Sequence, residues 1–135
     1  MPGSFFDTNV LVYLASGDPV KADQAERVVA AGGAISVQVL NELANVARRK
    51  MRLPWTETDA FLSMVRALLQ VHAMTLEIHE TGLGLAERYR VSTYDAMIIA
   101  SALHACCDTL WSEDMQDGMV IEESLRIANP FIAMR

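Results

Sequence analysis

The sequence of 135 residues contains no long hydrophobic run and no basic segment at its beginning. No apolar stretch approaches the roughly 20 residues that a membrane-spanning helix needs, and residues 1–4 lack the basic flank of a signal peptide. These absences argue against a membrane or secreted protein, and we expect a cytoplasmic one. The length predicts one compact domain over residues 1–135.

Cysteine is scarce, and the two cysteines present, Cys106 and Cys107, are neighbours in the sequence. Adjacent cysteines can hardly cross-link a fold, so we expect two reduced thiols within a hydrophobic helix. No histidine or further cysteine stands at ligand spacing from them, which argues against a zinc site. The three histidines, His72, His79 and His104, show no paired arrangement for acid–base ribonuclease chemistry.

A broad excess of basic charge is also missing, because 17 acidic residues outnumber 11 basic ones and the net charge is −6. This balance argues against a protein that holds nucleic acid through a generally basic surface. The densest basic patch consists of Arg48, Arg49, Lys50 and Arg52. It fits contacts to RNA phosphates and, equally well, cations that complement the C-terminus of a helix.

Short apolar segments alternate with helical patterns along the chain, which predicts an α/β fold with a mostly parallel sheet covered on both faces. We predict short strands at residues 4–6, 34–36, 71–74, 109–111 and 126–129. Helices are predicted from about residue 10, at 21–31, from Ser36 to the basic patch, from a capping box of Thr56 and Asp59, at 77–90, and from Ser92 to about residue 105.

Four acidic residues occupy positions where a ligand site could form. Asp7 and Asp114 each follow a predicted strand, at the edge of a parallel sheet where ligands bind. Asp95 stands in the first turn of an apolar helix, and Glu42 lies beside the apolar stripe of its own helix. Each has an ordinary structural explanation, as a turn residue, a helix-dipole partner or a solvated side chain. The prediction of a site therefore depends on the combination.

Four motifs resemble, in order, those of PIN-domain nucleases, and in style those of VapC-type toxins of type II toxin–antitoxin pairs: FDTNVL at 6–11, NEL at 41–43, TYDAMIIA at 93–100 and LWSEDM at 110–115. The resemblance covers residues 5–131. It implies a PIN-like three-layer sandwich with a mostly parallel sheet of four or five short strands and helices on both faces.

The resemblance also implies roles for individual residues. It makes Asp7, Glu42, Asp95 and Asp114 the catalytic acids, with Asp7, Asp95 and Asp114 as metal ligands. Polar support is expected from Asn9 and Ser112, and Asp117 is a possible further supporting group. Arg48, Arg49 and Arg52 are possible RNA contacts.

The implied activity is hydrolysis of RNA phosphodiester bonds with Mg²⁺ or Mn²⁺, since these ions prefer oxygen ligands. One or two metals would activate water for in-line attack. The implied partners are an RNA substrate and an antitoxin protein, and we also expect a homodimer and no membrane association.

Two other functions remain open at this stage. The opening segment at residues 5–11 loosely resembles that of haloacid-dehalogenase-type phosphatases, although Asn9 stands where their second aspartate is expected. The other alternative is a catalytically silent PIN-like module that binds RNA or a protein.

Overall fold

A six-stranded sheet lies at the centre of the protein, for which the computed structural model describes residues 3–132. The strands are β1 (Ser4–Phe6), β2 (Ala34–Ser36), β3 (Gln70–His72), β4 (Thr109–Trp111), β5 (Val120–Ile121) and β6 (Leu125–Ala128). Their order in the sheet is β3-β2-β1-β4-β6-β5. Every neighbouring pair is parallel except β5 and β6. The predicted α/β class is confirmed, and β5 is a strand that the sequence did not reveal.

Within the described residues, six α-helices connect and cover these strands. They are α1 (Thr8–Val12), α2 (Pro19–Ala30), α3 (Val37–Arg49), α4 (Trp55–Leu68), α5 (Leu76–Tyr89) and α6 (Thr93–His104), and a 3₁₀ turn at Tyr13–Ala15 continues α1. Phe5 and Phe6 of β1 and all of β2 are buried. Successive strand residues point to opposite faces, so burial of consecutive residues means that both faces are covered.

Hydroxyl side chains begin the two helices that carry the predicted acids. Ser36 Oγ accepts the N–H of Val39 at 3.2 Å at the start of α3, and Ser92 Oγ accepts the N–H of Asp95 at 3.1 Å at the start of α6. Both caps were predicted from the sequence. Each satisfies a backbone donor that the first helical turn would otherwise leave unpaired.

The predicted capping box at Thr56 and Asp59 is wrong. Helix α4 begins at Trp55, directly after Pro54, and no side chain caps it. The fixed φ of proline and its missing N–H suit the position before a helix, so the first turn forms earlier than the hydroxyl pattern suggested. Thr56 consequently lies inside that turn.

Helix α6 is buried from Ala96 to Ala102, as its uniformly apolar sequence predicted. It packs against α5 at Gly82, where a β-carbon would lie 2.6 Å from the sulfur of Met97. The placement of the cysteines within this helix is wrong. Cys106 has φ 58°, which ends the helical path, and both thiols, in Cys106 and Cys107, lie beyond His104 and are free. No helix within residues 3–132 is long and apolar enough to cross a membrane.

Candidate active site

Asp7 follows β1 directly and is only 5% exposed, at the edge of the sheet where the parallel strands end. Its Oδ1 accepts the N–H of Thr8 at 2.7 Å and begins α1. Its Oδ2 accepts hydrogen bonds from Ser112 Oγ at 2.8 Å and from Asn9 Nδ2 at 3.0 Å. Local sequence thus places the carboxylate, and a residue more than a hundred positions away orients it.

The charged form of Asp7 is costly in this position. Burial raises its pKa from 3.8 to about 6, although the hydrogen bonds from Ser112 and Thr8 act in the opposite direction. The negative charges of Asp95 and Glu42 raise the pKa further. A buried carboxylate surrounded by like charges is stabilised by a cation, because the cation relieves both the repulsion and the lost hydration.

Glu42 and Asp95 approach each other from two different helices. Glu42 is half-buried on α3, and its Oε2 accepts the hydroxyl of Thr8 at 3.4 Å. Burial, followed by the charge of Asp95, raises the pKa of Glu42 against the opposing hydrogen bonds. Gln38 Nε2 donates to the carbonyl oxygen of Tyr94 at 3.3 Å, which ties the beginning of α3 to the beginning of α6.

Asn9 joins the two acids that follow β1 and β4. Its Nδ2 donates to Asp7 Oδ2 at 3.0 Å, to Asp114 Oδ2 at 3.1 Å and to Ser112 Oγ at 3.4 Å. Its Oδ1 accepts the N–H of Glu113 at 3.0 Å, which fixes the orientation of the amide. The predicted supporting position of Asn9 thus corresponds to a bridge between the two carboxylates.

Ser112 holds the loop that carries Asp114. Its hydroxyl is fully buried, donates to Asp7 and accepts the N–H groups of Asp114 and Met115, each at 3.2 Å. Asp114 itself is exposed, so its carboxylate remains open to the cleft. A buried hydroxyl thus fixes the backbone of the residue whose exposed carboxylate faces the cleft.

The four predicted acids line one cleft of about 600 Å³. The further lining residues are Thr8, Asn9, Val12, Tyr13, Asn45, Val46, Lys50, Ile98 and Glu113. The cleft therefore contains five carboxylates, of which Glu113 was not predicted. Its neighbour Asp114 already satisfied the expected pattern, so the sequence offered no separate signal for it.

Glu113 forms an ion pair with a cation of the protein itself. Lys21 Nζ lies 2.8 Å from Glu113 Oε1, and the hydroxyl of Tyr13 donates to the same oxygen at 3.2 Å. The ammonium also lies over the rings of Tyr13 and Phe131, at 4.7 and 5.1 Å from their centroids. Glu113 therefore ties the loop after β4 to α2, which leaves the other four acids as candidate ligands.

The remaining predicted site residues lie apart from the acids. Asp117 does not line the cleft, and its Oδ1 accepts the N–H of Asn129 at 2.8 Å, so it fastens the loop to the end of β6. Arg48 donates to the carbonyl oxygen of Leu53 at 2.6 Å and lies 4.2 Å from the centroid of the Trp55 ring. Arg49 and Arg52 are exposed outside the cleft.

The donor set fits a divalent, oxygen-seeking cation such as Mg²⁺ or Mn²⁺. Within residues 3–132, no three acidic, histidine or cysteine side chains already lie close enough to enclose an ion. Mg²⁺ usually keeps several of its waters and takes one or two carboxylates directly. The carboxylates of Asp7, Asp95 and Asp114, which line one open cleft, suit that mode of coordination.

An α/β domain with an acidic cleft where its parallel strands end defines the class of this protein. The chain belongs to the PIN domain family, whose model matches residues 4–116. This membership removes the haloacid-dehalogenase alternative, which depended on the opening segment alone. Among curated proteins, no sequence match is found.

Solved structures share the fold, among them the following three. A toxin–antitoxin complex from Klebsiella pneumoniae has a TM-score of 0.72 and 22% identity over 95% of this chain and 98% of its own. VapBC2 of Rickettsia felis, bound to a DNA fragment from its promoter, has a TM-score of 0.67 and 19% identity over 93% of this chain and 97% of its own. VapC20 of Mycobacterium tuberculosis, a toxin that cleaves the sarcin–ricin loop, has a TM-score of 0.64 and 17% identity over 80% of this chain and 87% of its own.

Proposed function

We propose that the protein is a metal-dependent endoribonuclease and the toxin of a toxin–antitoxin pair. The observation that carries the proposal is the convergence of Asp7, Glu42, Asp95 and Asp114 on one cleft, with Asp7 buried and its pKa raised to about 6. A pocket that holds carboxylates in this state binds a cation together with the phosphate group of a substrate. The fold similarity to VapC proteins supports the same class of activity.

Some residues of the cleft would hold the metal ion, and others orient the carboxylates. Asp7, Asp95 and Asp114 would hold Mg²⁺ or Mn²⁺, which when bound polarises a phosphodiester and lowers the pKa of a coordinated water. Ser112 and Asn9 keep the oxygens of Asp7 and Asp114 in position. Glu42, with its raised pKa, is suited to accept a proton from water at the cleft.

Cleavage of a pooled, structured RNA tests the proposal directly. The purified chain is incubated with Mg²⁺, with Mn²⁺ or with a chelator, beside the double variant Asp7→Asn, Asp95→Asn. Asp59→Asn, which changes an exposed carboxylate on α4, is the matched control. We expect metal-dependent cutting that the double variant loses and the control retains.

The product ends identify the reaction path. Attack by water leaves 5′-phosphate and 3′-hydroxyl ends when the leaving oxygen is the 3′ oxygen, whereas attack by the 2′-hydroxyl leaves a cyclic phosphate. Metal-independent cutting with cyclic ends would contradict the proposal. A folded chain that cuts no RNA with any metal would favour the silent binding module.

The toxin role has its own test in growing cells. Induced expression of the wild-type chain should arrest bacterial growth, and Asp114→Asn should abolish the arrest without lowering the protein level. Co-expression of its antitoxin should restore growth and give a complex that co-purifies. Sedimentation of the isolated chain tests the expected homodimer.

A further inference from the structure

The acidic cleft continues beyond the carboxylates along α3. Its walls there come from α1 with the following 3₁₀ turn and from α3, and the residues that line this part are Val12, Tyr13, Asn45, Val46 and Lys50. We call this part the α3 groove. Val12 and Val46 contribute apolar side chains to its lining, while Asn45 and Tyr13 contribute polar atoms.

Charge changes sign along the α3 groove. Glu42 stands at the acidic end, and Lys50 is the one cation among the described residues that line the cleft. Lys50, the C-cap of α3, follows Glu42 by eight positions, which corresponds to about 12 Å along the helix axis. Bases stacked in a nucleic-acid strand rise by about 3.4 Å each, so the distance accommodates roughly three or four nucleotides.

We propose that the α3 groove binds the nucleotides that flank the scissile phosphate, with a base over Val12 and Val46 and a backbone phosphate at Lys50. This inference rests on the proposed function. An RNA strand is apolar on its base faces and negative on its backbone, and the groove is lined by apolar side chains and by one cation. A single-stranded RNA leaves base faces free for such contacts, so it is the probe that the test requires.

The ordinary explanation of Lys50 is that it complements the dipole of α3. Arg66, in the last turn of α4, is exposed and does not line the cleft, so it can complement a helix dipole without contacting a ligand in the cleft. Arg49, next to Lys50, is exposed and also lies outside the cleft. These two residues separate a specific phosphate contact from helix stabilisation and from a general basic surface.

The test measures RNA binding without cleavage. A short fluorescein-labelled single-stranded RNA of mixed sequence is titrated with the full chain in the Asp114→Asn background, and fluorescence anisotropy gives Kd at several salt concentrations. We expect Lys50→Gln to raise Kd about fivefold at low salt and to reduce the slope of log Kd against log salt by about 0.7, the value for one lost phosphate contact on a single strand. Arg66→Gln should change neither quantity.

Cleavage kinetics in the active chain give a second readout. Lys50→Gln should raise KM and leave kcat unchanged, since the contact is made before and during the reaction alike. Equal losses from Lys50→Gln and Arg49→Gln would overturn the α3 groove in favour of a general basic surface. An unchanged Kd and salt slope for Lys50→Gln would also overturn it, while cleavage lost by the carboxylate variants would leave the proposed function intact. A chain that neither binds nor cuts RNA would overturn both.

Discussion

Asp7 should make the metal-free protein less stable as the pH rises. Its pKa is 3.8 in the unfolded chain and about 6 in the folded protein, because burial disfavours the carboxylate. Between these values the folded state binds more protons than the unfolded state, so the free energy of unfolding falls with increasing pH. Below 3.8 the penalty is absent, and above about 6 it is complete.

The structure gives the size of this penalty. The difference between 3.8 and about 6 corresponds to about 3 kcal/mol at about 1.4 kcal/mol for each pH unit. Asp7→Asn removes the charge, but an amide nitrogen cannot accept the hydrogen bonds from Ser112 and Asn9. Each lost bond costs about 1 kcal/mol, so the net gain at neutral pH is about 1 kcal/mol.

Urea unfolding in the presence of a chelator measures the effect. The free energies of unfolding of the wild type and of Asp7→Asn are compared from about pH 4.5 to about pH 8. The contributions of the other titrating groups cancel in the difference between the two proteins. We expect Asp7→Asn to gain about 2 kcal/mol relative to the wild type across this interval, which covers most of the titration. The exposed Asp59→Asn variant should show no such trend.

A difference between the wild type and Asp7→Asn that stays constant with pH would refute the reasoning, since it would mean that Asp7 carries no penalty for its charge. Added Mg²⁺ supplies a second check at about pH 8. It should stabilise the wild type and not Asp7→Asn, because binding to the folded state alone adds to the free energy of unfolding.

Three further substitutions test separate features. Gly33→Ala should lower the free energy of unfolding by roughly 3 kcal/mol in urea titrations, because the residue has φ 147° and its β-carbon would lie 2.5 Å from the carbonyl oxygen of Ser4. Ser112→Ala should reduce metal-dependent cleavage about 10- to 100-fold, since Asp7 loses its orienting hydroxyl. Arg90→Gly should raise the free energy of unfolding by about 1 kcal/mol, because φ 58° at the end of α5 is left-handed.

Matched variants make these three results interpretable. Gly17→Ala, where a β-carbon meets nothing within 4 Å, should cost far less than Gly33→Ala. Thr109→Ala removes a hydroxyl on β4 that donates to Asp108 Oδ1 and does not line the cleft, so cleavage should stay near the wild-type rate. Arg66→Gly, inside α4, should destabilise by about 1 kcal/mol, and a similar loss at Arg90 would show that its left-handed conformation carries no strain.

The sequence by itself determined the features that depend on neighbouring residues. Ser36 and Ser92 were assigned as caps because a hydroxyl before a helix satisfies a donor only two or three residues away. The position of Asp7 after β1 follows from the same kind of local pattern, as does the burial of α6. Pro54 shows the limit, since two local signals competed and the sequence pattern did not rank them.

Only the tertiary structure decided which side chains meet in the cleft. Asn9 contacts Ser112 and Asp114, more than a hundred residues away, and Glu42 faces the cleft because packing fixes the rotation of α3. That rotation also brings Lys50 to the cleft, whereas Arg48, Arg49 and Arg52 of the basic patch had been predicted from the sequence as the possible RNA contacts. The ion pair of Glu113 likewise depends on α2 packing beside the loop after β4. Hydrogen bonds within one turn are fixed by local geometry, whereas contacts across the sheet exist only once the whole core has packed.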